Sequence, residues 1–165
     1  MTDAAGLRPY LASDAAELAE IFRASIAGLA GDDYSEAQQA AWMAAADDEE
    51  AFGERLGSEL TLVATIDGEA VGFAALKGRD VVDMLYVHPA VAGQGIAAQL
   101  IDALEKLAAA RGATTLTADA SDTALGFFEG RGFVPQRRNS VACGGEWLAN
   151  TTVLKPLKAP LRSAS

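Results

Sequence analysis

Two glycines flank a glutamine, Gly93-Gln94-Gly95, between the apolar run Leu85-Tyr86-Val87 and a long Ala/Leu segment that closes at Gly112. Glycine at the start of a helix costs backbone entropy, so it marks a place where bare backbone must approach something closely. The free N–H groups of a first helical turn, at the positive end of the helix dipole, suit a phosphate. The chemistry expected at this point is therefore phosphate or pyrophosphate binding. A nucleoside-triphosphate loop needs Gly-Lys-Ser/Thr at its end, and Gly95 is followed by Ile96-Ala97, so that ligand is excluded. Gly93, Gly95 and Ala98 do match the spacing of a dinucleotide fingerprint, with Asp119 placed where a ribose-binding acid belongs. Against it, five residues, His88 to Ala92, intervene where that fingerprint needs a tight turn. The segments upstream are also hairpin-joined strands, and only one βαβ unit follows.

The elements that must position this loop can be read from periodicity. Leu7–Ala12 is a short strand candidate. Ser13-Asp14 is a helix-start signal before Leu18, Ile21, Phe22, Ile26 and Leu29 at helical spacing, with a stop at Gly31. Ser35 caps a second, short helix. The acidic stretch from Asp47 to Gly57 reads as a solvated turn of helix. Two β-rich runs then meet at Asp67-Gly68, a strong hairpin signal. Asp80 to Val87 is a further strand, stopped by Pro89. A helix ending at Gly112 follows, then a strand, a short helix broken at Gly130 and Gly132, and two strands around Cys143-Gly144-Gly145. Helices alternate with strands, but the two hairpins predict a mixed α/β sheet and not an all-parallel one.

Composition sets the outer bounds. The 165 residues suit one domain, expected over 6–157 with a flexible tail at 158–165. One cysteine, Cys143, and one histidine, His88, exclude an internal disulfide and fall short of the ligands a zinc cluster needs, so no metal is expected. No apolar run is long enough to cross a bilayer, and Met1–Ala4 lacks the basic and apolar regions of a signal peptide. A reducing cytoplasm is the expected location. The net charge of −10 argues against nucleic acid or an anionic membrane as partner, and permits a cationic substrate.

The run "LYVHPAVAGQGIAAQLI" resembles the cofactor motif of the GNAT superfamily of N-acetyltransferases, of the form Gln/Arg-x-x-Gly-x-Gly/Ala; the matching residues are Ala92 to Ala97. "DTALGFFEGRGF" is similar to the next helix of that family, commonly A-x-x-F-Y-E-x-x-G-F. The resemblance implies a mostly antiparallel mixed sheet with a splayed central strand and helices on both faces. It implies acetyl-CoA as cofactor and transfer of its acetyl group directly to an amine of a small molecule or peptide. The pyrophosphate would rest on Gly93, Gln94, Gly95, Ile96, Ala97 and Ala98. The pantetheine arm would follow the strand through Leu85, Tyr86 and Val87, bonding the backbone of Leu85 and Val87. Ser121 and Phe128 fall at positions that touch the cofactor in the family, and Ser121 also suits a helix cap. Homodimers are common in the family. Two residues depart from its pattern. Ala92 stands where Arg or Gln is usual, and Phe128 stands where a tyrosine often protonates the leaving thiolate. Phenylalanine has no proton to give. A module that binds acyl-CoA without turnover is the alternative this raises.

Within that resemblance, attack by an amine requires loss of a proton. Asp83 is the candidate base: it interrupts the apolar run Val81-Val82-Asp83-Met84-Leu85, where lost hydration favours the protonated carboxyl. The alternative is a strand carboxylate held by an arginine or a backbone N–H. Tyr86, expected on the opposite face from Asp83 by strand alternation, is either a packing residue or a substitute for the absent tyrosine. His88 before Pro89 is read as structural. Tyr34, Gln38 and Trp42 are expected on one face of a helix at i, i+4 and i+8, covering the acceptor pocket or packing in the core. Glu146, in the terminal hairpin, is either a pocket wall or an exposed charge. Cys143 reads as a small buried residue, with no second histidine to activate it.

Overall fold

The computed structural model describes residues 5–158. It is built on one seven-stranded sheet: β1 (Gly6–Pro9), β2 (Leu60–Ile66), β3 (Glu69–Lys77), β4 (Val81–Val87), β5 (Thr115–Ser121), β6 (Val134–Cys143) and β7 (Glu146–Pro156), in the spatial order β1-β2-β3-β4-β5-β7-β6. All neighbours are antiparallel except β4 and β5, which run parallel. The expected mixed, mostly antiparallel sheet is therefore present. The β2–β3 hairpin turns at Asp67-Gly68 with φ of 52° and 80°, the left-handed pair that matches strand twist.

Helices cover both faces. On one side, α1 (Ala15–Leu29), α2 (Glu36–Met43) and α3 (Glu49–Ser58) flank a core of Leu18, Phe22, Ile26, Phe52, Leu56, Val63, Phe73 and Met84. On the other, α4 (Ile96–Ala110) and α5 (Leu125–Gly130) bury Leu100, Ile101, Leu104, Phe128 and Phe133 against Ala74, Leu116 and Val153. Each burial follows from period: α4 points Ile96, Leu100, Leu104 and Ala108 inward at steps of four.

Three local expectations change. The first helix begins at Ala15, after a turn at 12–14 closed by Asp14, whose Oδ2 accepts from the Leu11 N–H at 2.8 Å; Asp14 also pairs with Arg8 at 2.8 Å. Ser13 does not cap it. The acidic stretch near residue 50 is a ten-residue helix, α3, with Phe52 and Leu56 buried, and not merely a solvated turn. Of the expected tail, Lys158 is irregular and residues 159–165 lie outside the described ones.

Candidate functional site

The site grows from a defect in the sheet. β4 pairs with β5 only at Val81–Thr117 and Val82–Ala118, after which the strands part. The His88 N–H donates to the Val71 carbonyl on the β3 side at 2.8 Å. Backbone direction alternates along a strand, and the pairing from Met84 to Val87 is regular, so the amides of Leu85 and Val87 point into the gap. These are the two residues whose backbone the resemblance assigns to a pantetheine arm.

β4 itself carries a bulge. Ala75 faces Met84 and Leu76 faces Val82, which leaves Asp83 as an extra residue. The extra residue resets the alternation. Asp83 and Tyr86, expected on opposite faces, consequently line the same cleft, of about 340 Å³, with Tyr34, Trp42 and Arg55. Arg55 of α3 donates from Nε and Nη2 to Oδ2 of Asp83 at 3.0 and 2.8 Å. Of the two sequence-based alternatives for Asp83, the arginine pair is present. It leaves Oδ1 without a hydrogen bond from any described residue. Glu59, at the end of α3, completes the group: its carboxyl is pushed up to about 7, by burial first and then by the Asp83 carboxylate beside it.

A second cleft, of about 330 Å³, lies across the opening of the gap. Leu85, Tyr86, Val87, Gly93, Gly95, Ile96, Ala97, Ala98 and Ser121 all line it. Gly93 and Gly95 have φ of 81° and 82°, and a Cβ on either would meet nothing within 4 Å. Glycine is therefore required for backbone conformation, and the space beside it is open. The first intrahelical bond runs from Gln99 N–H to Gly95 C=O, so the amides of Ile96, Ala97 and Ala98 project from the helix end. Gln94 is exposed and its N–H turns back to Val91 at 3.3 Å. The loop is braced from behind: a Cβ at Gly28 of α1 would sit 2.5 Å from Pro89 Cγ, so only glycine allows that contact. His88 is structural, as expected, its Nδ1 accepting from the Ala90 N–H at 3.0 Å.

The two clefts share Trp42, Leu85, Tyr86, Ser121 and Ala124 and so meet at the tyrosine. Tyr86 is wedged between Phe22 and Phe73, and burial pushes its phenol up to about 12. Trp42 Nε1 donates to its hydroxyl oxygen at 3.3 Å, which leaves the phenolic hydrogen free to donate. Ser121 Oγ accepts from the Ala124 N–H at 3.1 Å while lining both clefts, so its capping and lining positions coincide.

The remaining expected residues divide. Tyr34 lies before α2 and not on it, yet stacks edge-on to Trp42 at 5.4 Å. Its hydroxyl is fully engaged, donating to Ala149 O at 2.6 Å and accepting from Asp122 N at 2.9 Å, so only its ring faces the cleft. Phe128 lines the first cleft from the core; Phe127, passed over in the sequence, lines the second. Glu146 pairs with Cys143 at the tip of the β6–β7 hairpin and is not among the residues lining the cleft, which stop at Leu148 on that strand. Cys143 is half-buried and donates to Ala41 O at 3.4 Å. Arg55 and Glu59 were not anticipated. The signal available was their i, i+4 spacing at the end of a helix that runs into a strand.

Comparison with known proteins settles the family. Residues 30–149 match the model of the acetyltransferase (GNAT) domain. The chain belongs to the GNAT family of acetyltransferases. It is 35% identical over 144 residues to the uncharacterized N-acetyltransferase YafP of Escherichia coli K12, covering 87% of this chain and 91% of that one. A crystal structure from Rhodopseudomonas palustris, described as "GCN5-Related N-acetyltransferase: Aminotransferase, Class-II", is 58% identical with a TM-score of 0.94, over 95% of this chain and 98% of that one. PaiA N-acetyltransferase from Thermoplasma acidophilum, a complex with coenzyme A, shares the fold at 19% identity and a TM-score of 0.77, over 93% and 99% of the chains. The resemblance drawn from Ala92–Ala97 and the second motif thus holds at family level, and the splayed β4 of this GNAT acetyltransferase is the structural form of it.

Proposed function

We propose that this chain transfers the acetyl group of acetyl-CoA to a primary amine held in the Asp83 cleft, with no covalent intermediate on the protein. The observation that carries the reading is the meeting of two clefts at one parted strand. One offers helix-end amides and the open amides of Leu85 and Val87; the other offers a carboxylate. The residues present fit coenzyme A: Gly93, Gly95 and the first-turn amides of α4 form an anion cradle, and β4 offers ladder-like bonds to an extended amide-bearing arm. The coenzyme A complex of PaiA supports the same cofactor. When bound, acetyl-CoA supplies an activated acyl group on a thiol leaving group.

The protein's own residues do the rest. Asp83, held by Arg55 through one oxygen, presents the other to an incoming ammonium and takes its proton. Tyr86 stands where the two clefts join. With its phenol at about 12, against about 8.5 for an ordinary thiol, it does not surrender its proton to a thiolate; it donates a hydrogen bond. That is the part Phe128 cannot play. Trp42 fixes the tyrosine oxygen, and holding both partners in one cavity supplies proximity. The protein works in the cytoplasm on this reading. A second reading, binding without turnover, rests on Phe128, which is buried against Phe127 and Phe133.

Calorimetric titration with acetyl-CoA and, separately, NAD tests the cofactor, with Gly95→Glu as control. Binding of acetyl-CoA alone, lost in the variant, is expected; no binding of acetyl-CoA overturns both readings. A screen of small polyamines, aminoglycosides, peptide N-termini and lysine side chains, read by thiol release, then separates enzyme from binder.

A further inference from the structure

The proton that Asp83 receives needs somewhere to go. The departing thiolate takes up only one of the two protons that the ammonium loses on becoming an amide, and Arg55 accepts no proton. Behind Asp83, away from the acceptor cleft, lies Glu59. Its Oε2 is buried and receives no hydrogen bond from any described residue. Its neighbour is the Asp83 carboxylate, which adds to burial in raising its proton affinity. Two carboxylates cannot bond each other without a proton between them. A single proton held by the pair relieves their repulsion. Glu59 also lines a third cleft, of about 760 Å³, bounded by α3 and the β1 end and rimmed by Glu49, Glu50 and Glu54. It thus touches Asp83 on one side and open water on the other.

We propose that Glu59 and Asp83 form a one-proton relay that carries the proton of the acceptor ammonium from the active cleft to the acidic cleft behind it. The proposal rests on the reading of Asp83 as the base. Acetylation of an ammonium releases one proton net. In the relay one N–H bond of the substrate breaks and an O–H bond forms on Asp83; the second N–H proton, lost as the C–S bond breaks and the amide forms, goes to the departing thiolate to give the free thiol. The proton moves to the Glu59 carboxyl, crosses between its two oxygens and leaves to water in the third cleft, so the pair ends as it began. Glu59 touches no substrate and is a positioning residue for the proton. The charged groups facing it are Asp83 on β4, Arg55 on α3 and Lys77 at the end of β3. On the third-cleft side stand the three rim glutamates and Tyr10. The two cations lower its proton affinity, but burial and Asp83 outweigh them, and the pair changes charge near neutral pH.

The test has two arms. In the free protein, carbon-13 NMR of labelled glutamate carboxyls should show one signal titrating near pH 7. It should be missing in Glu59→Gln and should move part of the way towards the ordinary carboxylate range in Asp83→Asn, burial holding the remainder of the shift. A Glu59 signal that titrates with the other glutamates overturns the shared proton. In turnover with the amine found by the thiol-release screen, kcat/KM of the wild type should rise about tenfold per pH unit up to about 7. Glu59→Gln should flatten that limb and Glu59→Asp should keep it. A limb unchanged in Glu59→Gln, with Asp83→Asn inactive, overturns the relay and leaves Asp83 as the base. Full activity in Asp83→Asn overturns the reading of Asp83 itself.

Discussion

Glu59→Gln should make the protein more stable at pH 8 and leave it nearly unchanged at pH 4.5. The sign follows from the direction of the shift. Glu59 is raised from 4.5 to about 7, so the folded state holds its proton where the unfolded chain has lost it. Its favourable contribution is complete below the unfolded value, falls as pH rises through the interval, and is gone above about 7. Glutamine has the same shape, stays neutral, and keeps an N–H donor for Asp83 at every pH. The shift spans about 2.5 pH units at ~1.4 kcal/mol each, an upper bound of about 3.5 kcal/mol. Glu59 is only half-buried, so solvent screening reduces this to roughly 1–2 kcal/mol. At about 2–4 °C per kcal/mol for a chain of this size, the variant should melt about 2–8 °C higher at pH 8. Thermal melts followed by circular dichroism at pH 4.5, 6, 7 and 8 give the difference directly, since other titrating groups are common to both proteins. A difference that stays constant with pH, or a variant that is less stable at pH 8, refutes the reasoning.

Other residues carry predictions of different kinds. Tyr34→Phe removes the group that joins Ala149 O to Asp122 N; it should cost about 2 kcal/mol and lower the melting temperature by about 4–8 °C, with acetyl-CoA affinity unchanged in calorimetry. Tyr86→Phe should lower kcat by about 10²-fold, the scale of one lost hydrogen-bond donor, with the acetyl-CoA Kd unaltered; an unchanged kcat sinks its assigned part. Gly95→Ala should cost about 1–2 kcal/mol because φ is 82°, seen as a lower melting temperature, while the open space beside it predicts that acetyl-CoA still binds. Asp83→Asn should reduce turnover by about 10²–10⁴-fold at neutral pH and leave acetyl-CoA binding intact in calorimetry.

What the sequence disclosed and what it withheld divide by range along the chain. The β2–β3 hairpin rests on Asp67-Gly68, two adjacent residues whose backbone preference is local. The cradle rests on Gly93 and Gly95, whose positive φ is again a property of the residue itself. Almost every residue expected to hold the cofactor lines the second cleft for that reason. The acceptor side is assembled from distant parts. Asp83 meets Arg55, 28 residues away, and Tyr34 bonds Ala149, 115 residues away. No spacing in the chain announces either contact. Glu146 was judged from its place in a Gly-rich hairpin, but the hairpin extends past the cleft and carries it out. Phe127 and Phe128 are adjacent on a six-residue helix, and which of them faces the cofactor depends on how α5 docks against Phe133.

The bulge at Asp83 links the two clefts. Without the extra residue, Asp83 and Met84 would keep strict alternation. The carboxylate would then face the α4 side of the sheet, among Leu76, Leu100 and Leu116 and away from Arg55. With it, Asp83 turns to the α3 side, where Arg55 and Glu59 stand, and Tyr86 stays within the same cleft. The bulge also falls immediately after Val82, the last residue of β4 paired with β5. One irregularity in one strand therefore aims the carboxylate and coincides with the parting that exposes the amides of Leu85 and Val87. A single-residue deletion at Asp83 should for this reason do more than remove a carboxylate. It should restore regular pairing of β4 with β3 and shift every β4 side chain on the Val81 side of the deletion by one register position. Asp83→Asn, which keeps the bulge, should retain acetyl-CoA binding in calorimetry. The deletion should lose it, and equal binding by the two variants would show that the bulge does not shape the cofactor cleft.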